Sequence, residues 1–315
     1  MCCRTRNTDV TNGLSRRRAI ALLAVVVLAW GTNWPVTKII VHDVSPLWST
    51  ALRCMIAAAA LAPLLWTQGI FIVPKRGDMP VVLCTSLLHM VAFSALVAAG
   101  LQFVPAGRAI VLGYTTPIWV AVGARVFLSE SITKWRAVGI ATGIAGLAVI
   151  FDPRALDWGD RQALLGSGLI LVAALCWAAN IVYVRAHKWI STPFQLVFWQ
   201  VLLAAVVLST IALFTEGVPH IEWTARLAAL LLFSGIFCTA LAHWAMSMVN
   251  RSLPAVTTSL GLLATPVLGI ISAIIVLNEP LEPSLFLAMA LIIGGITLGT
   301  VADRRTVQIS VPARS

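Results

Sequence analysis

Apolar stretches of roughly 20 residues recur along this 315-residue chain, near 19–41, 46–68, 80–103, 109–128, 135–151, 164–186, 193–214, 226–249, 256–278 and 284–302. A helix rises 1.5 Å per residue, so such a stretch crosses the ~30 Å hydrocarbon core of a bilayer. Backbone polar groups inside lipid must be satisfied within the segment, and a run of this length does so as a helix. The expected fold is therefore an all-α integral membrane protein with ten transmembrane helices. Composition agrees, since 59% of residues are hydrophobic and only 11% are charged, against about 25% charged in a soluble domain.

The net charge of +10 would suit a nucleic-acid binder if it clustered on one folded face. Instead the basic residues sit between apolar runs, which excludes nucleic acid as the expected partner. With the amino terminus placed in the cytoplasm, fifteen Lys and Arg fall on that side, Arg16, Arg17, Arg18, Lys75 and Arg76 among them. Five fall on the other side, and Arg53 and Arg125 lie within spans. This asymmetry predicts a multi-pass protein of the cell membrane with both termini cytoplasmic. The run 19–41 after Arg16–Arg18 exceeds a signal-peptide core of about 7 to 15 residues and reads as an uncleaved first helix. Of six cysteines, Cys54, Cys84, Cys176 and Cys238 lie in apolar runs and Cys2 and Cys3 in a polar tail; they read as reduced thiols, not a disulfide framework.

The two halves of the chain repeat. An offset of 147 pairs Trp30 with Trp177, Asn33 with Asn180, Lys38 with Arg185 and Pro46 with Pro193. An offset of 149 pairs Pro105 with Pro254, Thr116 with Thr265, Pro117 with Pro266, Glu130 with Glu279 and Gly146 with Gly295. The implied organisation is a basic tail (1–18), a first five-helix repeat (19–151), an external linker (152–163), a second five-helix repeat (164–302) and a second tail (303–315). Five is odd, so the second repeat enters the membrane from the opposite side. Inverted repeats are the architecture of alternating access, which points to transport; a scaffold or an embedded enzyme is the competing class.

The stretch Trp30-Gly31-Thr32-Asn33 leading to Pro46 and Arg53, the run Thr116-Pro117 through Glu130, and Thr265-Pro266 through Asn278-Glu279-Pro280-Leu281 resemble the drug/metabolite transporter superfamily, and most closely its ten-helix EamA-type carriers. The resemblance spans about 19–301. It implies two inverted five-helix repeats around a central cavity and export of amino acids or similar metabolites from the bacterial cytoplasm across the inner membrane, with drug efflux as the sibling activity. The expected cavity is lined by spans one, three, four, six, eight and nine.

The candidate substrate residues are polar or aromatic groups deep in apolar runs. Asn33 and Asn180 occupy equivalent repeat positions, and an unpaired amide there is costly, so each needs a substrate or a helix partner. Trp30 and Trp177, one turn earlier, offer packing faces. His89 and His243 are candidate substrate or proton sites, and Tyr114 and Trp244 offer an apolar body with a polar tip. Pro117 and Pro266 are expected to break their helices and free the carbonyls of Gly113 and Leu262 for substrate; the other reading is a kink repaired by the hydroxyls of Thr115, Thr116 or Thr265. Arg53 lies about 10 Å along its span and either orients a substrate carboxylate or ties a gate to a carbonyl. No acidic residue falls mid-span, which argues against a cation exporter working through a buried carboxylate. No nucleotide loop, metal-ligand set or nucleophile constellation is present, so no cofactor and no enzyme activity are expected; the partners are a small-molecule substrate and lipid. Gly139, Gly143 and Gly146, with Gly294, Gly295 and Gly299, supply small faces for close helix contact.

Overall fold

A computed structural model describes residues 14–129, 133–150, 160–253, 258, 261–280 and 282–309, and among these all regular structure is helical. The rods are α1 (Arg16–Asp43), α2 (Pro46–Thr67), α3 (Met79–Gly100), α4 (Ala106–Phe127), α5 (Lys134–Ile150), α6 (Arg161–Ala186), α7 (Pro193–Thr215), α8 (Ala225–Asn250), α9 (Ala264–Leu277) and α10 (Pro283–Ile309). Seven of them are long and apolar enough to cross a membrane: α1 to α4 and α6 to α8. The other three carry shorter apolar stretches, Ala137–Val149, Ala264–Leu277 and Pro283–Leu298. The run expected at 256–278 thus gives a 14-residue helix, part of its beginning lying outside the described residues.

Packing between the halves is reciprocal. Helix α1 packs on α8 and α9, while α6, its repeat equivalent, packs on α3 and α4. The equivalent helices α2 and α7 pack together, as do α5 and α10. Both pairs are antiparallel. The Trp48 indole near the start of α2 donates to the Gly217 carbonyl just beyond α7 (2.9 Å), and the Trp199 indole near the start of α7 donates to the Ile72 carbonyl beyond α2 (2.7 Å). In the other pair, a Cβ on Gly295 would meet the Gly139 carbonyl and a Cβ on Gly146 would meet the Ala288 carbonyl, so residue numbers run in opposite directions along the contact. Of the glycines expected to allow close approach, Gly295 meets Gly139 and Gly143 across the pair, while a Cβ on Gly294 would meet nothing within 4 Å.

Repeat-equivalent backbone features recur as well. A π-helical stretch, Thr85–Phe93, interrupts α3, and another, Phe233–Leu241, interrupts α8. At each a hydroxyl reaches the carbonyl five residues back, Ser94 just after the first stretch to His89 (3.3 Å) and Thr239 within the second to Ser234 (2.9 Å). Ser129 and Asn278 both take a left-handed conformation, at φ 55° and 54°; at Asn278 this ends α9 and turns the chain so that the next residue, Glu279, faces α4.

Acidic side chains tie the helix ends. Glu216, just beyond α7, accepts from the Ser45 hydroxyl (2.6 Å) and the Leu47 amide (3.4 Å) at the start of α2. Asp78, just before α3, is fully buried and accepts from the Ile190 amide (3.1 Å), the Ser191 amide (2.9 Å) and His187 (3.3 Å) ahead of α7. Burial opposes ionisation of Asp78, but hydrogen bonds from Ser191, Ile190 and His187 outweigh it and hold the carboxyl below its ordinary range. A lowered carboxyl stabilises the fold above the unfolded-state value of about 3.9 and ceases to do so as pH falls through the folded-state value. Asp78→Asn is therefore expected to cost about 2 kcal/mol at pH 7 and to blunt the loss of stability below about pH 4, read as thermal unfolding in detergent at both pH values. Equal acid sensitivity in the two proteins would contradict this role.

Candidate functional site

A cavity of about 250 Å³ opens between α1 to α4 and α6 to α8. Helix α1 contributes Trp30, Asn33, Trp34 and Thr37, which follow the i, i+3, i+4, i+7 spacing of one helical face. Helix α6 contributes Trp177 and α4 contributes Tyr114. The π-helical parts of α3 and α8 bring in His89 and Thr239, with His243 one turn further on. A π turn widens the helix and rephases the face beyond it, so these residues and Ser94 share one wall. Arg53 of α2 and Gln200 of α7 complete it.

The rings are arranged in pairs. Trp177 stacks on His89, with centroids 5.6 Å apart and planes 8° from parallel, and Trp30 meets His243 edge-on at 5.9 Å. The two imidazoles lie 6.3 Å apart. The Thr239 carbonyl, 2.7 Å from Nδ1 of His243, only accepts, so that nitrogen carries the proton. Asn33 accepts from the Ser234 hydroxyl at 2.8 Å, which holds its carbonyl oxygen against α8. No Asp or Glu is among the lining residues.

Seven of the residues singled out from the sequence thus share the cavity: Trp30, Asn33, Arg53, His89, Tyr114, Trp177 and His243. Four others lie elsewhere. Asn180 is buried with the Cys84 thiol 4.0 Å from its carbonyl oxygen. Thr116 is buried and its hydroxyl donates to the Gly113 carbonyl at 2.7 Å and toward that of Ala174 at 3.4 Å. Thr265 is buried beside Tyr114, and Trp244 packs against the apolar cluster between α2 and α7.

The helix-break expectation needs correcting in one respect. Helix α4 does break, at Tyr114 and Thr115, but Pro117 is the second residue of the segment that restarts at Thr116, and Pro266 is the third residue of α9. First-turn amides have no intrahelical acceptor, so neither proline removes a hydrogen bond. The Gly113 carbonyl is not bare, because the Thr116 hydroxyl occupies it. Among the described residues span nine, expected to line the cavity, does not, and spans two and seven do.

Several lining residues escaped the sequence reading. Trp34 and Thr37 were signalled by their helical spacing from Trp30. Gln200 was signalled more sharply, since it is Arg53 displaced by 147. Thr85, Met90, Phe93, Val97 and Cys238 reach the wall through or beside the π segments, which composition and hydropathy do not announce.

The sequence model of the EamA-like transporter family matches residues 17–152 and again 164–301. The chain belongs to the EamA-like transporter family. An uncharacterized transporter of Bacillus subtilis, YoaV, is 31% identical over 281 residues, covering 89% of this chain and 96% of its own length. A probable amino-acid metabolite efflux pump of Escherichia coli is 28% identical over 303 residues, covering 92% and 97%; its namesake in Salmonella typhimurium is 29% identical over 315, covering 94% and 100%. A solved crystal structure superposes with a TM-score of 0.64 at 19% identity, covering 93% of this chain and 99% of its own, which shows a shared fold. This EamA protein is thus a multi-pass membrane transporter, as the doubled motifs around Trp30, Thr116 and Thr265 implied.

Proposed function

We propose that the protein is a secondary carrier that exports an amino acid or a related small metabolite by alternating access, its ten helices crossing the bacterial inner membrane as two inverted five-helix repeats with both termini cytoplasmic. The observation that carries this reading is the cavity between the halves, walled at repeat-equivalent positions by Trp30 and Trp177 and by Arg53 and Gln200. Antiparallel pairing of α2 with α7 and of α5 with α10 supports the inversion, because equivalent helices of inverted repeats must run in opposite directions. The excess of Lys and Arg on one side supports the orientation. The printed names of the Escherichia coli and Salmonella relatives support an amino-acid metabolite as cargo. A volume near 250 Å³ falls below the roughly 300 to 1,000 Å³ of pockets that take drug-sized molecules, which favours a small metabolite over a drug.

The test is efflux of preloaded labelled amino acids and cationic dyes from proteoliposomes holding the full-length protein, with and without an imposed pH gradient. Saturable loss of one amino-acid class is expected, slowed about tenfold by Trp177→Ala in stably folded protein. Dye efflux without amino-acid efflux would replace this reading with drug export, and no saturable flux of any compound would end it.

A further inference from the structure

The cavity wall holds one side chain that is always charged. Among the described lining residues Arg53 is the sole Lys, Arg, Asp or Glu, and its Nε is buried with no hydrogen-bond partner among the described residues. A guanidinium carries five donors in a planar fork that matches a carboxylate, and a buried N–H donor left without an acceptor is disfavoured. Acidic side chains at the ends of the lining helices are committed elsewhere: Glu216 to Ser45 and Leu47, Asp78 to the segment before α7, and Glu279 to the start of α4. The described wall thus offers a cationic cargo a positive charge and no carboxylate to receive it. Gln200, at the repeat-equivalent position on α7, adds neutral amide donors to the same wall.

On the carrier reading above, we propose that Arg53 is the anchor for the carboxylate of the cargo, and that the cargo class is small monocarboxylates, zwitterionic or monoanionic, with net cations excluded. A fork of two parallel N–H···O bonds fixes the carboxylate end, and the rest of the molecule lies between the Trp30 and Trp177 rings. A bound carboxylate gives the buried Nε of Arg53 the acceptor it lacks among the described residues.

The probes are four molecules of one shape and different charge: leucine, 4-methylvalerate, leucinamide and isoamylamine. Binding to the purified full-length protein is read by quenching of tryptophan fluorescence, and the same compounds compete in the liposome assay. The wild type is expected to bind leucine or 4-methylvalerate and to ignore leucinamide and isoamylamine. Arg53→Gln is expected to weaken the acids about tenfold or more, Arg53→Lys to weaken them less because the charge stays, and Arg53→Glu to shift preference toward the amines. A merely structural arginine would, when replaced, lower binding of all four alike, with thermal unfolding reporting any loss of fold.

Equal binding of leucine and leucinamide by the wild type, undiminished acid binding by Arg53→Gln, or binding of none of the four would overturn the proposal. Acid binding without flux would remove the carrier reading and leave the anchor. Flux of cations without acid binding would do the reverse.

Discussion

Gly295→Ala is expected to destabilise the protein by about 3 kcal/mol, the upper part of the range for forcing extra volume into a packed interior, while Gly294→Ala next to it is expected to change nothing measurable. A methyl on Gly295 would press on the Gly139 carbonyl oxygen and lie 3.1 Å from the Gly143 amide nitrogen and 3.3 Å from Cβ of Thr142. Two of these neighbours are backbone, so α5 and α10 must move apart for the methyl to enter. A Cβ on Gly294 meets nothing within 4 Å. Helix association in lipid depends on close packing in place of the hydrophobic effect, so separating two helices forfeits the contacts along their whole length. Thermal unfolding of the purified variants in detergent decides the matter. Equal stability of the two variants would mean that α5 and α10 do not meet at this face.

Glu279→Ala is expected to cost about 3 kcal/mol, with Glu279→Gln losing about half as much. Its two carboxylate oxygens accept from the Ala106 amide (2.7 Å) and the Gly107 amide (2.9 Å), the first donors of α4, which have no partner within the helix. The negative charge also meets the positive end of that helix. Lys38, which donates to the Leu101 carbonyl (3.1 Å) and to that of Val104, lies within electrostatic reach of the same carboxylate. Removing Glu279 thus strands two amides and takes the counter-charge from a half-buried ammonium. Glu279 follows α9, while Lys38 and α4 belong to the first half, so the contact joins the halves. Efflux from proteoliposomes is expected to fall or lose saturation in Glu279→Ala. Unchanged stability would show that the helix start is satisfied by other groups. Glu130, the repeat equivalent, lies outside the described residues.

The candidate site was legible where the repeat and helical spacing worked together. Trp30 and Trp177 were found by the 147-residue offset, and both face the cavity. Arg53 is marked by its charge within a span, and the same offset links it to Gln200, whose neutral amide carries no such mark. Asn33 and Asn180 mark the limit of symmetry: one is on the wall and tied to Ser234, the other is buried beside Cys84. Nothing in either amide distinguishes them, because which face of a helix meets the cavity depends on the rotation of the rod within its neighbours. The prolines show a similar limit. Pro117 and Pro266 each stand in the first turn of a helical segment; whether a proline interrupts a helix or begins one depends on where the preceding segment stops, and for Pro117 that depends on packing around Gly113, whose added Cβ would strike the Trp34 ring at 2.6 Å.

By itself, the sequence determined the helical class, the membrane setting, the doubled organisation and the family, because each rests on the length, apolarity and order of segments along the chain. Tertiary structure alone decided the rest: that α2 and α7 supply Arg53 and Gln200, that π turns in α3 and α8 swing His89 and Thr239 to the wall, and that Asp78, Glu216 and Glu279 serve helix ends far away in the chain. These outcomes depend on the rotation and approach of packed rods, set by many weak contacts acting at once, and no single residue's identity encodes such a sum.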